Sequence, residues 1–113
     1  MTIMVVDDNA RIREVIRSMF DAPETRVVEC ASGDEAVSRY AVDSPDWVLM
    51  DIRMKGMDGI TASRTIIKQH PEAKVIIVTN CLEPALREAA RSIGTSGYVL
   101  KEDLFSVKRI MGL

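Results

Sequence analysis

Apolar residues are arranged in two alternating ways along this chain. Short runs rich in β-branched side chains occupy residues 3–6, 26–30, 47–50, 75–78 and 98–100. Continuous apolar runs of this length predict strands buried on both faces. Between them the apolar spacing lengthens to a period of about 3.6 residues, the mark of an amphipathic helix. Ile12, Val15, Ile16 and Met19 form one such stripe, and Leu86, Ala89, Ala90 and Ile93 form another. Punctuation agrees: Ser32 and Glu35 fit a capping box, Pro71 stops a helix, Pro84 suits a first helical turn, and Gly94 closes the helix that follows.

Strands and helices therefore alternate five times. Such alternation requires crossover connections, so the fold class is α/β: a three-layer α/β/α, doubly wound, five-stranded parallel sheet with helices on both faces. The last segment, residues 103–113, keeps Leu104, Val107 and Met111 on one side and is expected to be a closing helix. It ends abruptly, which leaves open a stand-alone domain or one cut before an output domain.

Composition narrows the classes. With 113 residues, 47% hydrophobic and 28% charged, the chain suits one ordinary globular domain. The formal charge is -2 and no Lys/Arg cluster stands out, so direct nucleic-acid binding is not expected. Cys30, Cys81 and His70 are too scattered for a zinc site. No apolar run suits a signal peptide or a membrane span, and a cytoplasmic protein with no membrane contact is expected.

The chemistry gathers where the strands end. Ligands of open parallel sheets collect at the carboxyl ends of the strands. There the first strand runs into Asp7 and Asp8, the third into Asp51, the fourth into Thr79 and the fifth into Lys101. Carboxylates this close repel, so a proton or a cation must settle their charge. A few carboxylates with room for water and a phosphate suit Mg²⁺ better than Ca²⁺. Lys101 can pair with a phosphoryl oxygen and Thr79 can donate to another, which makes a phosphoryl-transfer constellation with Asp51 as nucleophile. Singly, these residues have plainer readings: Asp8 or Asn9 as a helix cap, Thr79 and Lys101 as surface residues.

Four segments, MVVDDN, VLMDIRMKGMDG, VIIVTN and GYVLK, follow in this order. Together they resemble receiver domains of bacterial two-component response regulators, over essentially all of residues 1–113. The resemblance implies a flavodoxin-like sheet of strand order 2-1-3-4-5. It implies phosphorylation at Asp51, with Mg²⁺ held by Asp7, Asp8, Asp51 and the backbone carbonyl of Arg53. It also implies catalytic roles for Lys101 and Thr79 and a switch made of Thr79 and Tyr98. The donor would be a histidine kinase, a phosphotransfer protein or an acyl phosphate. Phosphorylation is expected to move Tyr98 from an exposed rotamer and to favour a homodimer through the face of residues 84–109, which carries Arg87, Glu88, Arg91, Lys108 and Arg109. An appended DNA-binding output domain would fit the family.

Two departures bear on loop rigidity: Lys55 and Glu102 stand where the family often has proline. Met50, Met54 and Met57 are read as core packing. Cys81 is read as a thiol near the site, without a redox role. Arg53, two residues after Asp51, is expected to influence dephosphorylation. The competing readings are a pseudo-receiver that only binds partners and a small-molecule phosphatase. The second usually needs an acid where Arg53 stands. The protein is thus expected to act as a switch, not as an enzyme, beyond its own phosphoryl transfer and hydrolysis.

Overall fold

The computed structural model describes residues 1–113. Five strands, β1 (Thr2–Val6), β2 (Arg26–Cys30), β3 (Trp47–Met50), β4 (Val75–Thr79) and β5 (Gly97–Leu100), form one parallel sheet of order β2-β1-β3-β4-β5. Five helices join or follow them: α1 (Ala10–Met19), α2 (Gly33–Asp43), α3 (Gly59–Gln69), α4 (Pro84–Ser92) and α5 (Phe105–Met111). No helix is long and apolar enough to cross a membrane.

Because strand side chains alternate between faces, each strand feeds two cores. Met4, Val6, Val48, Met50 and Ile77 pack on one side with Ala36 and Tyr40 of α2, Ile60, Ala62 and Ile66 of α3, and Ala90 of α4. Ile3, Val5, Leu49, Ile76, Val78 and Val99 pack on the other with Ile16 and Phe20 from the α1 side and Val107 of α5. The three methionines behave as packing residues: Met50 is fully buried, and Met54 and Met57 lean on the same core.

Helix starts follow side-chain capping. Asn9 Oδ1 accepts from the Arg11 and Ile12 amides at 2.9 and 3.4 Å, Ser32 Oγ accepts from the Glu35 amide at 3.1 Å, and Asp58 Oδ1 accepts from the Thr61 amide at 2.9 Å. Glu35 reaches back one residue further than a capping box requires, to the Ala31 amide at 2.6 Å. Pro84 opens α4, and Gly94, at φ +91°, follows its end.

Two expectations need correction. The closing helix starts at Phe105 instead of residue 103 and ends at Met111, because Lys101–Asp103 wind into a tighter 3₁₀ turn and Gly112 turns left-handed at φ +82°. Val15 belongs to the apolar stripe of α1 yet is 48% exposed, since α1 lies on a sheet face shared with α5 and buries Ile16 most deeply.

Candidate functional site

Strand register brings the acids together. Val6 of β1 is level with Met50 of β3, so Asp7 and Asp51 leave the sheet side by side. The Asp51 amide donates to the Val6 carbonyl at 2.9 Å, and the Asp7 amide donates to that of Cys30 at 3.1 Å. On the other flank Thr79 is level with Leu100, which places Lys101 one step beyond. The Lys101 ammonium lies 2.9 Å from Asp7 Oδ2 and 3.3 Å from Asp51 Oδ2. Asp7, Asp51 and Thr79 are buried, Lys101 is half-buried, and Asp8 is exposed. They line a hollow of about 210 Å³ with Asn9, Arg53, Asn80 and Cys81.

The bland reading of Asp8 is excluded, because Asn9 caps α1 and leaves the Asp8 carboxylate out of the cap. Asp51 Oδ1 accepts from the Ile52 amide at 2.9 Å, and Asp7 Oδ1 accepts from the Asn9 amide at 2.9 Å. Burial, then the charge of Asp7, raises the Asp51 pKa, and Lys101 only partly offsets this. Burial opposes the charge on Lys101, but its hydrogen bond to Asp7 and the field of Asp51 outweigh that, and its pKa is raised.

These residues fit a hard divalent cation. One carboxylate oxygen from each of Asp7, Asp8 and Asp51 lies within 4.8 Å of the others. The donors are all oxygen, the Arg53 carbonyl accepts no backbone hydrogen bond, and one ammonium leaves the acids under-compensated.

Several contacts at the rim have no signature in the sequence pattern. Arg13 Nη1 donates to the Asp7 carbonyl at 2.6 Å, while its Nε donates to Glu29 at 2.9 Å. Arg53 Nε donates to Cys81 Sγ at 3.0 Å, and its Nη2 to Glu83 at 2.8 Å. Cys81 lies beside the site, as read from the sequence, and is buried. Its amide donates to Thr79 Oγ1 at 3.2 Å. Burial pushes the other thiol, Cys30, up to about 11, so it is inert.

Tyr98 also departs from expectation. Its ring is half-buried against the core beneath Arg87, 4.6 Å from ring centre to guanidinium, and its hydroxyl donates to the Cys81 carbonyl at 2.8 Å. A polar partner for the hydroxyl and a cation for the ring hold it there instead of in solvent. Lys108 turns from the predicted output face and lies 5.6 Å from the Phe20 ring centre. All peptide bonds are trans, and Lys101 opens the 3₁₀ turn.

The class defined by fold and site is a doubly wound α/β domain with an acid cluster, a hydroxyl and a lysine at the carboxyl edge of its sheet. The family model of the response regulator receiver domain matches residues 3–110, and this chain belongs to that family. It is a receiver domain of two-component signalling, a family of switches more than enzymes, whose members are phosphoproteins that bind Mg²⁺. It is 35% identical over 101 residues to the response regulator GacA of Pseudomonas viridiflava, covering 88% of this chain and 47% of that one. It is 38% identical over 105 residues to the response regulator protein VraR of Staphylococcus aureus, covering 89% and 50%. The chain thus spans about half the length of these curated relatives. The crystal structure of a LuxR-family two-component response regulator from Aurantimonas sp. SI85-9A1 superposes with a TM-score of 0.86 at 34% identity, covering 98% of this chain and 85% of that one.

Proposed function

We propose that this protein accepts one phosphoryl group on Asp51 and passes the change to the surface around Tyr98. The observation that carries this reading is the Lys101 ammonium held between Asp7 and Asp51 at an open sheet edge, with Asp8 beside them. In the transfer, an Asp51 carboxylate oxygen forms a bond to phosphorus. The P–N bond of a phosphohistidine, or the P–O bond of an acyl phosphate, breaks with its electron pair going to the leaving group. Lys101 remains beside the transferred group and pairs with one of its oxygens, and Thr79 donates its hydroxyl to another. Asp7, Asp8, Asp51 and the Arg53 carbonyl would hold Mg²⁺, which supplies charge neutralisation at the phosphoryl oxygens. Hydrolysis reverses the state when water attacks phosphorus and the Asp51 oxygen leaves.

The switch reading rests on one chain of contacts. Thr79 Oγ1 holds the Cys81 amide and Tyr98 holds the Cys81 carbonyl, so drawing the Thr79 hydroxyl toward a phosphoryl group disturbs both bonds. The partners in this reading are a sensor histidine kinase or phosphotransfer protein and a second copy of the chain meeting the 84–109 face. Residues 1–113 form the receiver unit in this reading, and an appended DNA-binding output domain would fit relatives named as transcriptional regulatory proteins, of whose length this chain covers 41% and 43%.

Incubation with acetyl phosphate and Mg²⁺, followed by intact-mass measurement, tests the transfer. One labile phosphoryl group is expected on the parent and none on Asp51→Asn. An unlabelled parent would support the pseudo-receiver, and a labelled Asp51→Asn would move the acceptor elsewhere.

A further inference from the structure

Arg53 links the loop after Asp51 to the segment leading into α4 through two side-chain hydrogen bonds, one to Cys81 Sγ and one to the Glu83 carboxylate, the second being its only ion pair. We infer that Glu83 is a positioning residue: it draws the Arg53 guanidinium away from Asp51 while the acceptor is unmodified, and a phosphoryl group then competes with it for Arg53. This rests on the reading of Asp51 as the acceptor.

Three observations carry the inference. First, Arg53 lines both the acid hollow and the adjoining cleft of about 760 Å³ that Glu83 also lines, so its head group is placed to exchange between them. Second, the side chains of Arg53 and Glu83 are 67% and 61% exposed. A solvent-screened pair of this kind is weak. A phosphoryl group of nearly two negative charges, beside a largely buried carboxylate, offers the guanidinium a stronger forked partner. Third, Glu83 is the N-cap residue of α4 yet makes no capping hydrogen bond with its side chain. Its carboxylate is therefore spent on Arg53 and not on its own helix.

The exchange has a consequence for the switch. Arg53 also holds Cys81 Sγ, and the Cys81 peptide holds both Thr79 and Tyr98. When Arg53 leaves for the phosphoryl group, the acceptor loop and the α4 segment lose both of their side-chain links, and Tyr98 loses the fixed carbonyl that anchors it. Glu83 thus sets how readily Arg53 covers the phosphoryl group and how firmly the resting state is latched.

The test is a double-mutant cycle on phosphoprotein lifetime. The parent, Glu83→Gln, Arg53→Ala and the double variant are labelled with acetyl phosphate and Mg²⁺ and chased by intact mass. Glu83→Gln is expected to lengthen the lifetime severalfold in the parent and to have no effect once Arg53 is gone. A merely structural Glu83 would act equally in both backgrounds, and that result, or no effect in either, overturns the inference while leaving Asp51 as acceptor. Glu83→Asp, which keeps the charge, should restore most of the parent lifetime; a lifetime like that of Glu83→Gln counts against the pairing. A parent that takes no label overturns the acceptor reading itself, and this inference with it.

Discussion

Gly59 lies so close to Asp51 that a Cβ at its position would sit 1.8 Å from the Asp51 carbonyl oxygen and 2.9 Å from the Cα of Ile52. The Gly59 amide donates to the Ile52 carbonyl at 2.8 Å, so the start of α3 is pressed against the backbone of Asp51 itself. No flexible side chain is available to yield. Gly59→Ala is therefore expected to destabilise the protein by at least about 3 kcal/mol, at the upper end of overpacking costs. It should also lower acetyl phosphate labelling in whatever fraction stays folded. Urea unfolding with an unchanged slope and midpoint would show that the contact yields freely.

Asp51 is raised in pKa by burial first and by Asp7 second, even with Lys101 at hand. The folded state thus binds this proton more tightly than the unfolded chain does. Stability falls as pH rises from near the ordinary value of 3.8 through the raised one. Asp51→Asn removes that loss. In metal-free buffer at pH 7 its Tm is expected to exceed that of the parent, and its stability should decline less across the same acid window. Lys101 contributes a slope of the same sign at the alkaline end: its stabilisation is present below its ordinary value of 10.5 and is lost as pH climbs through its raised one. A variant with a lower Tm at pH 7 and a parent-like acid profile would show that Lys101 already outweighs the burden on Asp51.

Most of this architecture is legible in the chain because it depends on local pattern. The five β-branched runs coincide with the strands to within one residue, and the strand-end polar residues meet where a parallel sheet must bring them. Legibility fails where a tertiary contact decides. Whether Asp8 or Asn9 caps α1 is a matter of one rotated side chain, and the burial of Cys81 and Tyr98 depends on their mutual hydrogen bond. Glycine in the segment MDG is readable as a motif, but its reason, the Asp51 carbonyl, is visible only in three dimensions. Nothing in the spacing of Arg13 or Glu83 marks either as belonging to the site.

Arg13 holds the Asp7 carbonyl from the α1 side and is itself held by Glu29, with its side chain only 16% exposed. Charge-assisted hydrogen bonds of this sort contribute about 2 kcal/mol each. Arg13→Ala is expected to lose about that much stability and, by loosening the Asp7–Asp8 turn, to weaken Mg²⁺ binding measured by calorimetry. Arg13→Lys keeps the charge without the fork, so it should recover little of either. Parent-like Mg²⁺ affinity in Arg13→Ala would confine this residue to a structural role.

Several of the mixed charges on the 84–109 face are engaged within the domain, and this sharpens the prediction for assembly. Glu88 and Arg91 pair with each other within α4, Lys108 lies against Phe20 on the far side of α5, and Arg87 covers Tyr98. What remains to meet a partner is a hollow of about 370 Å³ lined by Arg87, Tyr98, Asp103 and Arg109, with Ile110 partly exposed beside it. The Arg87–Tyr98 stack forms one wall of this hollow. Turning Tyr98 away from the Cys81 carbonyl breaks a hydrogen bond and shifts Arg87 toward solvent, where it can face Asp103 of a second copy in a symmetric pair. Dimerisation should therefore rise when beryllofluoride, which stands in for the phosphoryl group, is bound at Asp51. It should fall as salt shortens the Debye length below about 10 Å, and Arg87→Glu should weaken it further. Tyr98→Phe removes the anchor to Cys81 and is expected to raise dimerisation even without beryllofluoride. Sedimentation measures all four. A beryllofluoride-bound protein that stays monomeric at high concentration, with Tyr98 still bonded to Cys81, would show that the signal leaves the acceptor by another face.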